Sequence, residues 1–231
     1  MTVDIGIIGA MADEVAALIA RLEDEKCDTV GGIEFHTGVI AGKRVAVARC
    51  GIGKVFAAMC ATAMVIKYSP KLIINTGVGG ALSGELSPTD IVIASDLCQH
   101  DMDTSAIGDP RGLVSGINKI YFEADMRAVS ILSSAAKALG YNARVGRIAS
   151  GDKFVADRCE KEEIKTIFGA MACEMEGAAI AHAAFVNSTP FAVIRAISDS
   201  ADGNAEMDYP TFLPIAAARS AALTLALIKE Y

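Results

Sequence analysis

The sequence predicts an α/β fold: a single-domain three-layer α/β/α sandwich around a mixed, mainly parallel central sheet. Apolar runs of strand length recur along the chain, most of them continuous rather than alternating, as strands covered on both faces require. Between them lie stretches with apolar residues at helical spacing, and that alternation puts helices on a central sheet. The chain has 231 residues, 52% of them hydrophobic and 21% charged, with no low-complexity segment or linker. That length carries one sizeable core, so residues 1–231 are read as one domain.

In order, DIGIIGA (4–10) reads as a buried strand and ADEVAALIARLED (12–24) as a helix with Val15, Leu18, Ile19 and Leu22 on one face. KRVAVARCG (43–51) is the next strand, GKVFAAMCATAMVIKY (53–68) a helix, and KLIINTGVGG (71–80) and DIVIASD (90–96) two further strands. Residues 98–122 are weakly patterned, and a loop of that length in a compact domain is usually functional or an interface element. DMRAVSILSSAAKAL (125–139) is helical and RVGRIASGD (144–152) a strand. CEMEG (173–177) ends a short extended run before the helix GAAIAHAAFV (177–186). FAVIRAISDS (191–200) is the last strand, and the segment 209–231 closes the chain as a helix.

Composition excludes several classes. The net charge is −7 with no basic run, which argues against nucleic acid as a partner. The six cysteines are scattered without metal-ligand spacing, so neither a disulfide framework nor a metal is expected. Charges and glycines interrupt every long apolar stretch and the N-terminus shows no leader, so no membrane span is expected and the cytoplasm is the expected compartment. The loop NTGVGGA departs from the dinucleotide G-x-G-x-x-G pattern at Leu82, and GIGKV lacks the first glycine of a P-loop. No cofactor is therefore expected.

Polar residues gather where strands end, which is where ligands collect in α/β sheets. Asp13 and Glu14 follow the first strand; either carboxylate is also what the first turn of a helix favours. Asp199 ends one of the most apolar strands. Desolvation there favours the protonated form, as a general acid needs, although a cap or a pairing with Arg195 on the same strand face would also account for it. If the CEMEG run is extended, Glu174 and Glu176 share a face, with Glu176 opening the helix and Met175 opposite. Glu176 can then accept hydrogen bonds from vicinal hydroxyls while Met175 packs on an apolar ligand surface; a capping acid and a core methionine remain the plainer account.

Taken together, GIIGAMADEV, GIGKV, NTGVGGAL, DIVIASD, SGDKF, CEMEGAAIAH and RAISD resemble the 5′-methylthioadenosine/S-adenosylhomocysteine nucleosidases of the purine nucleoside phosphorylase superfamily. The resemblance runs in order from residue 5 to about 213. It implies hydrolysis of an N-glycosidic bond, with Asp199 protonating the purine at N7, Glu14 holding and deprotonating water, and Glu176 and Met175 binding the ribose. It also implies Phe154 beside the adenine, backbone groups at Val155 on the purine edge, and Ser198 and Arg195 as supports for the acid and for Glu176. Met11 and Ile52 would line the pocket, with Tyr209 and Phe212 near the alkylthio end and Glu174 structural. Val78 departs from the family, where many relatives carry Ser, so a polar contact is missing. Thr104 and Ile107 would reach a neighbouring subunit's pocket, implying a homodimer. The alternatives are a futalosine-type hydrolase, a phosphorolytic purine nucleoside phosphorylase, or an idle nucleoside-binding module.

Overall fold

The computed structural model describes residues 2–201, the backbone of 205–208 and all of 209–231. The chain runs β1 (Ile5–Gly9), α1 (Ala12–Ile19), β2 (Glu23–Val30), β3 (Ile33–Ile40), β4 (Lys43–Arg49), α2 (Lys54–Tyr68), β5 (Leu72–Ala81) and β6 (Ile91–Gln99). After one 3-10 turn at Ser105–Ile107 it continues through β7 (Phe122–Glu123), α3 (Met126–Ala138), β8 (Ala143–Ser150), α4 (Arg158–Phe168), β9 (Ala172–Glu174), α5 (Gly177–Val186), β10 (Phe191–Asp199) and α6 (Ala205–Glu230).

The sheet is mixed, as its composition of continuous and alternating runs predicts. β1, buried along its whole length, lies parallel between β4 and β5, and β5 runs parallel to β10. β10 pairs antiparallel with β6, β6 parallel with β8, β8 parallel with β9, and β9 antiparallel back to β5. These pairings join β5, β10, β6, β8 and β9 in a closed circuit, which brings the ends of β5, β9 and β10 together. Helices cover the sheet in two groups. α6 packs on β10 and β5 with α1 and α3 against it, and α2 packs against α5.

Several elements differ from the sequence reading, which also left the strands β3 and β7 unread. The first helix stops at Ile19 rather than running to residue 24, because Glu23–Val30 forms β2, antiparallel to β3. β2 is an edge strand exposed over nearly all its length, so its sequence EDEKCDTV carries no burial pattern. The turn joining it to β3 is Gly31-Gly32, both at positive φ (59° and 79°), a conformation hairpin turns demand and glycine adopts without strain. α4 was also unforeseen: Asp157 caps it by accepting from Glu160 N at 2.9 Å, Gly169 ends it at φ 65°, and Lys161, Ile164 and Phe168 form its buried face.

The closing helix overturns the expectation that no apolar stretch is long enough to span a membrane. An 18-residue window within Tyr209–Glu230 has mean hydropathy 1.6, and the helix passes by length and composition. In this fold it is a core helix: Ala216, Ala217, Ser220, Leu223, Thr224 and Leu227 are buried, and Ser220 Oγ accepts from Gly77 N at 3.1 Å. Burial on two sides, against the sheet and against α1 and α3, accounts for an apolar composition without a lipid.

Candidate active site

β1 ends at Gly9 and the chain turns at once into α1, which leaves the first N–H groups of the helix without intrahelical partners. Glu14, in the first turn, folds back to meet them. Its Oε2 accepts from Ala10 N at 2.7 Å and Met11 N at 3.0 Å, and its Oε1 accepts from Val78 N at 3.1 Å. The side chain is buried, and burial pushes its carboxyl above the ordinary range, against the pull of Arg195 and of these backbone donors. Glycine at position 77 leaves the carboxylate its place, because a Cβ there would stand 2.5 Å from Glu14 Oε1 and push it aside. The backbone N–H of Val78 therefore serves Glu14, while its side chain faces the cavity described below.

Glu174 and Glu176 do not act as one face. β9 ends at Glu174 and Glu176 takes the N-cap position of α5 with φ −132° and ψ −40°, so the extended run stops between them. Glu174 is consumed by structure: it accepts from Ser150 Oγ, from Glu176 N at 3.0 Å, from Gly177 N at 2.8 Å and from Arg195 Nη2. Arg195, 1% exposed, also donates to Ile194 O at 2.9 Å and to Asn75 Oδ1. This corrects the expectation for Arg195. It does not line the cavity, and its contact is with Glu174, so it reaches Glu176 only through space.

Glu176 Oε1 accepts from Gly53 N at 2.8 Å, a backbone partner contributed by the GIGKV loop before α2. Burial first, then the charge of Glu174, pushes its carboxyl from 4.5 up to about 8, with Arg195 and Gly53 N–H opposing. A carboxyl whose folded value is raised costs stability as pH climbs, because the unfolded chain releases the proton first. The cost begins near 4.5 and is complete above about 8. Glu176→Gln removes it. Thermal unfolding followed from about pH 5 to about pH 9 should show the variant gaining on the parent by up to about 1.4 kcal/mol per pH unit within this window. A gap that does not widen with pH would mean that Glu176 is not held protonated.

Asp199 ends β10 and is 1% exposed. Ser198 Oγ donates to Oδ1 at 2.9 Å, and Lys161 Nζ donates to Oδ2 at 2.8 Å and to Ser200 O at 2.6 Å. Here the sequence reading is corrected twice. A pairing with Arg195 is not made, since four residues along a strand separate the two by about 13 Å. Nor is Asp199 merely desolvated: a buried ammonium from α4 touches it. Nothing in DRCEKEEIKTIF singled out Lys161, because a lysine among charges at helical spacing reads as a solvated face. A Cβ at Gly80 would lie 2.8 Å from Asp199 Oδ2, so that glycine makes room for the carboxylate.

These groups open on one cavity of 410 Å³. Glu14, Glu176, Ser198 and Asp199 line it, with Met11, Ile52, Val78, Phe154, Val155, Met175 and Tyr209 supplying the apolar wall. Phe154 and Tyr209 meet edge to face with ring centroids 5.6 Å apart, and Tyr209 OH donates to Met11 Sδ at 3.3 Å. Phe212 is half-buried one helical turn further along α6 and does not line the cavity, contrary to expectation. Thr104 and Ile107 do not line this chain's cavity either: Thr104 Oγ1 donates to Asp109 Oδ2 at 2.8 Å, and Ile107 is 81% exposed. Among the described lining residues Lys153 is the one cationic side chain, and it is tied to Glu160 at 2.6 Å.

The family model of the Phosphorylase superfamily matches residues 4–229. A 5′-methylthioadenosine/S-adenosylhomocysteine nucleosidase of Shewanella halifaxensis is 41% identical over 228 residues, covering 98% of this chain and 99% of that protein. The chain belongs to the 5′-methylthioadenosine/S-adenosylhomocysteine nucleosidase family of the phosphorylase superfamily. Its fold is similar to that of the nucleosidase of Neisseria meningitidis solved with methylthio-immucillin-A, with a TM-score of 0.95, 36% identity and 99% of each chain covered. It is also similar to futalosine hydrolase of Helicobacter pylori, with a TM-score of 0.94, 34% identity, and 99% of this chain and 98% of that one covered. The nucleosidase family thus shares with this chain the mixed sheet whose strand ends frame the cavity.

Proposed function

We propose that the chain is an N-glycosyl hydrolase that cleaves 5′-methylthioadenosine and S-adenosylhomocysteine to adenine and the corresponding thioribose. The observation that carries this reading is the convergence of Glu14, Glu176 and Asp199 on one cavity with an apolar wall. The transition state of such a cleavage resembles an oxocarbenium ion, so the base must leave protonated and water must reach the anomeric carbon. Asp199 is the acid that protonates the purine at N7. Glu14, with its oxygens already oriented by three backbone donors, holds and deprotonates the water. Glu176 accepts from the ribose hydroxyls; those donors favour its ionised form, and the negative charge then faces the developing cation. Met175 packs on the sugar, Phe154 on the base, with Val155 at the purine edge and Met11, Ile52 and Tyr209 around the alkylthio group. No cofactor enters this reading.

Phosphorolysis is disfavoured, because a phosphate would need several cationic side chains or a nest of free N–H groups. The N–H groups beside β1 are taken by Glu14, and Lys153 is paired with Glu160. Adenine release from 5′-methylthioadenosine in phosphate-free buffer, with free methylthioribose as the co-product, is the expected result. Release only with phosphate would overturn it. The likeness to futalosine hydrolase favours one second reading, a futalosine-type substrate, and the same assay on that substrate decides between them.

The remaining features belong to this proposal: one catalytic domain over 1–231, action in methionine salvage in the cytoplasm, and a homodimer in which Thr104 and Ile107 complete the partner's cavity. Ile107 at 81% exposure, and Val55, Phe56 and Met59 exposed at the start of α2, support the dimer.

A further inference from the structure

Lys161 has no task in the mechanism above, yet it is among the most costly residues in the fold. Its side chain is buried beside Ile164 and Phe168 on the inner face of α4. An ammonium there is unfavourable by several kcal/mol unless it is paired and hydrogen-bonded. Leu82, Ala149 and Cys173 complete the same apolar cluster, into which an aliphatic side chain would fit without that cost. What Nζ meets is the carboxylate of Asp199, at 2.8 Å from Oδ2, and the carbonyl of Ser200, at 2.6 Å. Among the described residues Oδ1, by contrast, meets a hydroxyl, and Ser198 Oγ also has Gly79 O within reach at 3.3 Å.

We propose that Lys161 is a positioning residue of the reaction: it anchors Oδ2 of Asp199, leaves Oδ1 to carry the proton given to the purine, and supplies the positive charge against which Asp199 becomes a carboxylate. This rests on the reading of Asp199 as the acid. In the step, the Oδ1–H bond breaks, the N7–H bond forms, and the electron pair of the glycosidic bond passes into the purine. When Ser198 turns to Gly79 O, Oδ1 is released toward the cavity; when it turns back, it holds the spent carboxylate.

Other charged or titratable groups lie around this pair and the cavity beside it. Glu160 stands beside Lys161 on α4, Cys173 and Glu174 lie on β9, Arg195 is on β10, Glu14 on α1, Glu176 at the start of α5 and Tyr209 on α6. Glu174 is paired with Arg195, and Glu160 with Lys153. Burial pushes the Cys173 thiol up to about 12 and raises Tyr209 as well. Glu14 and Glu176, both with carboxyls raised by burial, line the same cavity as Asp199.

The test compares the parent with Lys161→Met and Lys161→Arg, reading kcat and kcat/KM for 5′-methylthioadenosine against pH. The affinity of a 7-deaza analogue, which offers no N7 to protonate, is measured alongside. Lys161 Nζ is the cation in contact with Asp199, so removing it should change how the rate depends on pH, which loss of packing alone would not. In Lys161→Met the alkaline limb of the profile should move, and the plateau kcat should fall about tenfold or more. Lys161→Arg should return the limb close to the parent's, and analogue affinity should stay within about threefold in both. A limb that does not move in Lys161→Met overturns the proposal. So does a loss of analogue affinity as large as the loss in kcat, which would make Lys161 a packing residue. If Lys161→Met does not fold, Lys161→Gln is read in its place, since it removes the charge and keeps a donor for Ser200 O. Failure here is distinct from failure of the acid assignment: an active Asp199→Asn removes both, whereas an inactive Asp199→Asn with an unmoved limb removes only the role of Lys161.

Discussion

Asp199→Asn should lower kcat for adenine release by about a thousandfold or more, within the range of general-acid catalysis and its supporting electrostatics. The amide keeps the shape of the carboxylate and its oxygen still accepts from Lys161 Nζ, now 2.8 Å from Oδ2. What it loses is a proton it can transfer to N7. Nucleoside affinity should therefore survive, because Glu176, Met175 and Phe154 line the cavity independently of Asp199. Stopped adenine release together with an analogue dissociation constant near the parent's is the expected pair of results. Turnover near the parental rate would show that the purine leaves without this acid.

Glu14→Gln carries the second large effect, and it should be felt in both activity and stability. Glu14 receives three backbone N–H groups, from Ala10 and Met11 on one oxygen and from Val78 on the other. An amide has only one acceptor oxygen, so an NH₂ group must face a donor on one side. One buried N–H then loses its partner, at about 1 to 3 kcal/mol. The variant also lacks the base that takes the proton from water, so kcat should fall by about 100- to 10,000-fold. Thermal unfolding and steady-state kinetics on the same preparation check both. A variant destabilised but fully active would leave Glu14 a capping residue, the plainer reading that its place in the first turn of α1 already allowed.

Much of the fold was legible because burial leaves a local trace. β1, β5, β6 and β10 are continuous apolar runs, and each is buried over most of its length. β2 left no trace because an edge strand exposed on both faces has no reason to alternate. α4 was hidden by charge: of its residues only Lys161, Ile164 and Phe168 turn inward, and one of those is a lysine. The helix α6 shows the converse, with apolar residues all round because protein covers it on more than one side.

For the site, the order of residues alone already puts carboxylates at strand ends and helix starts: Glu14 after β1, Glu176 before α5 and Asp199 at the end of β10. Those positions follow from local rules, the exposed N–H groups of a helix start and the polar residue that halts an apolar strand. Which cation each acid meets depends on the packing of distant elements. Arg195 goes to Glu174, 21 residues away, and Lys161 to Asp199, 38 residues away. Separations of that size carry no period and no spacing rule. A buried charge takes whichever opposite charge the packing of β9, β10 and α4 brings within reach, and that choice is made by the fold as a whole.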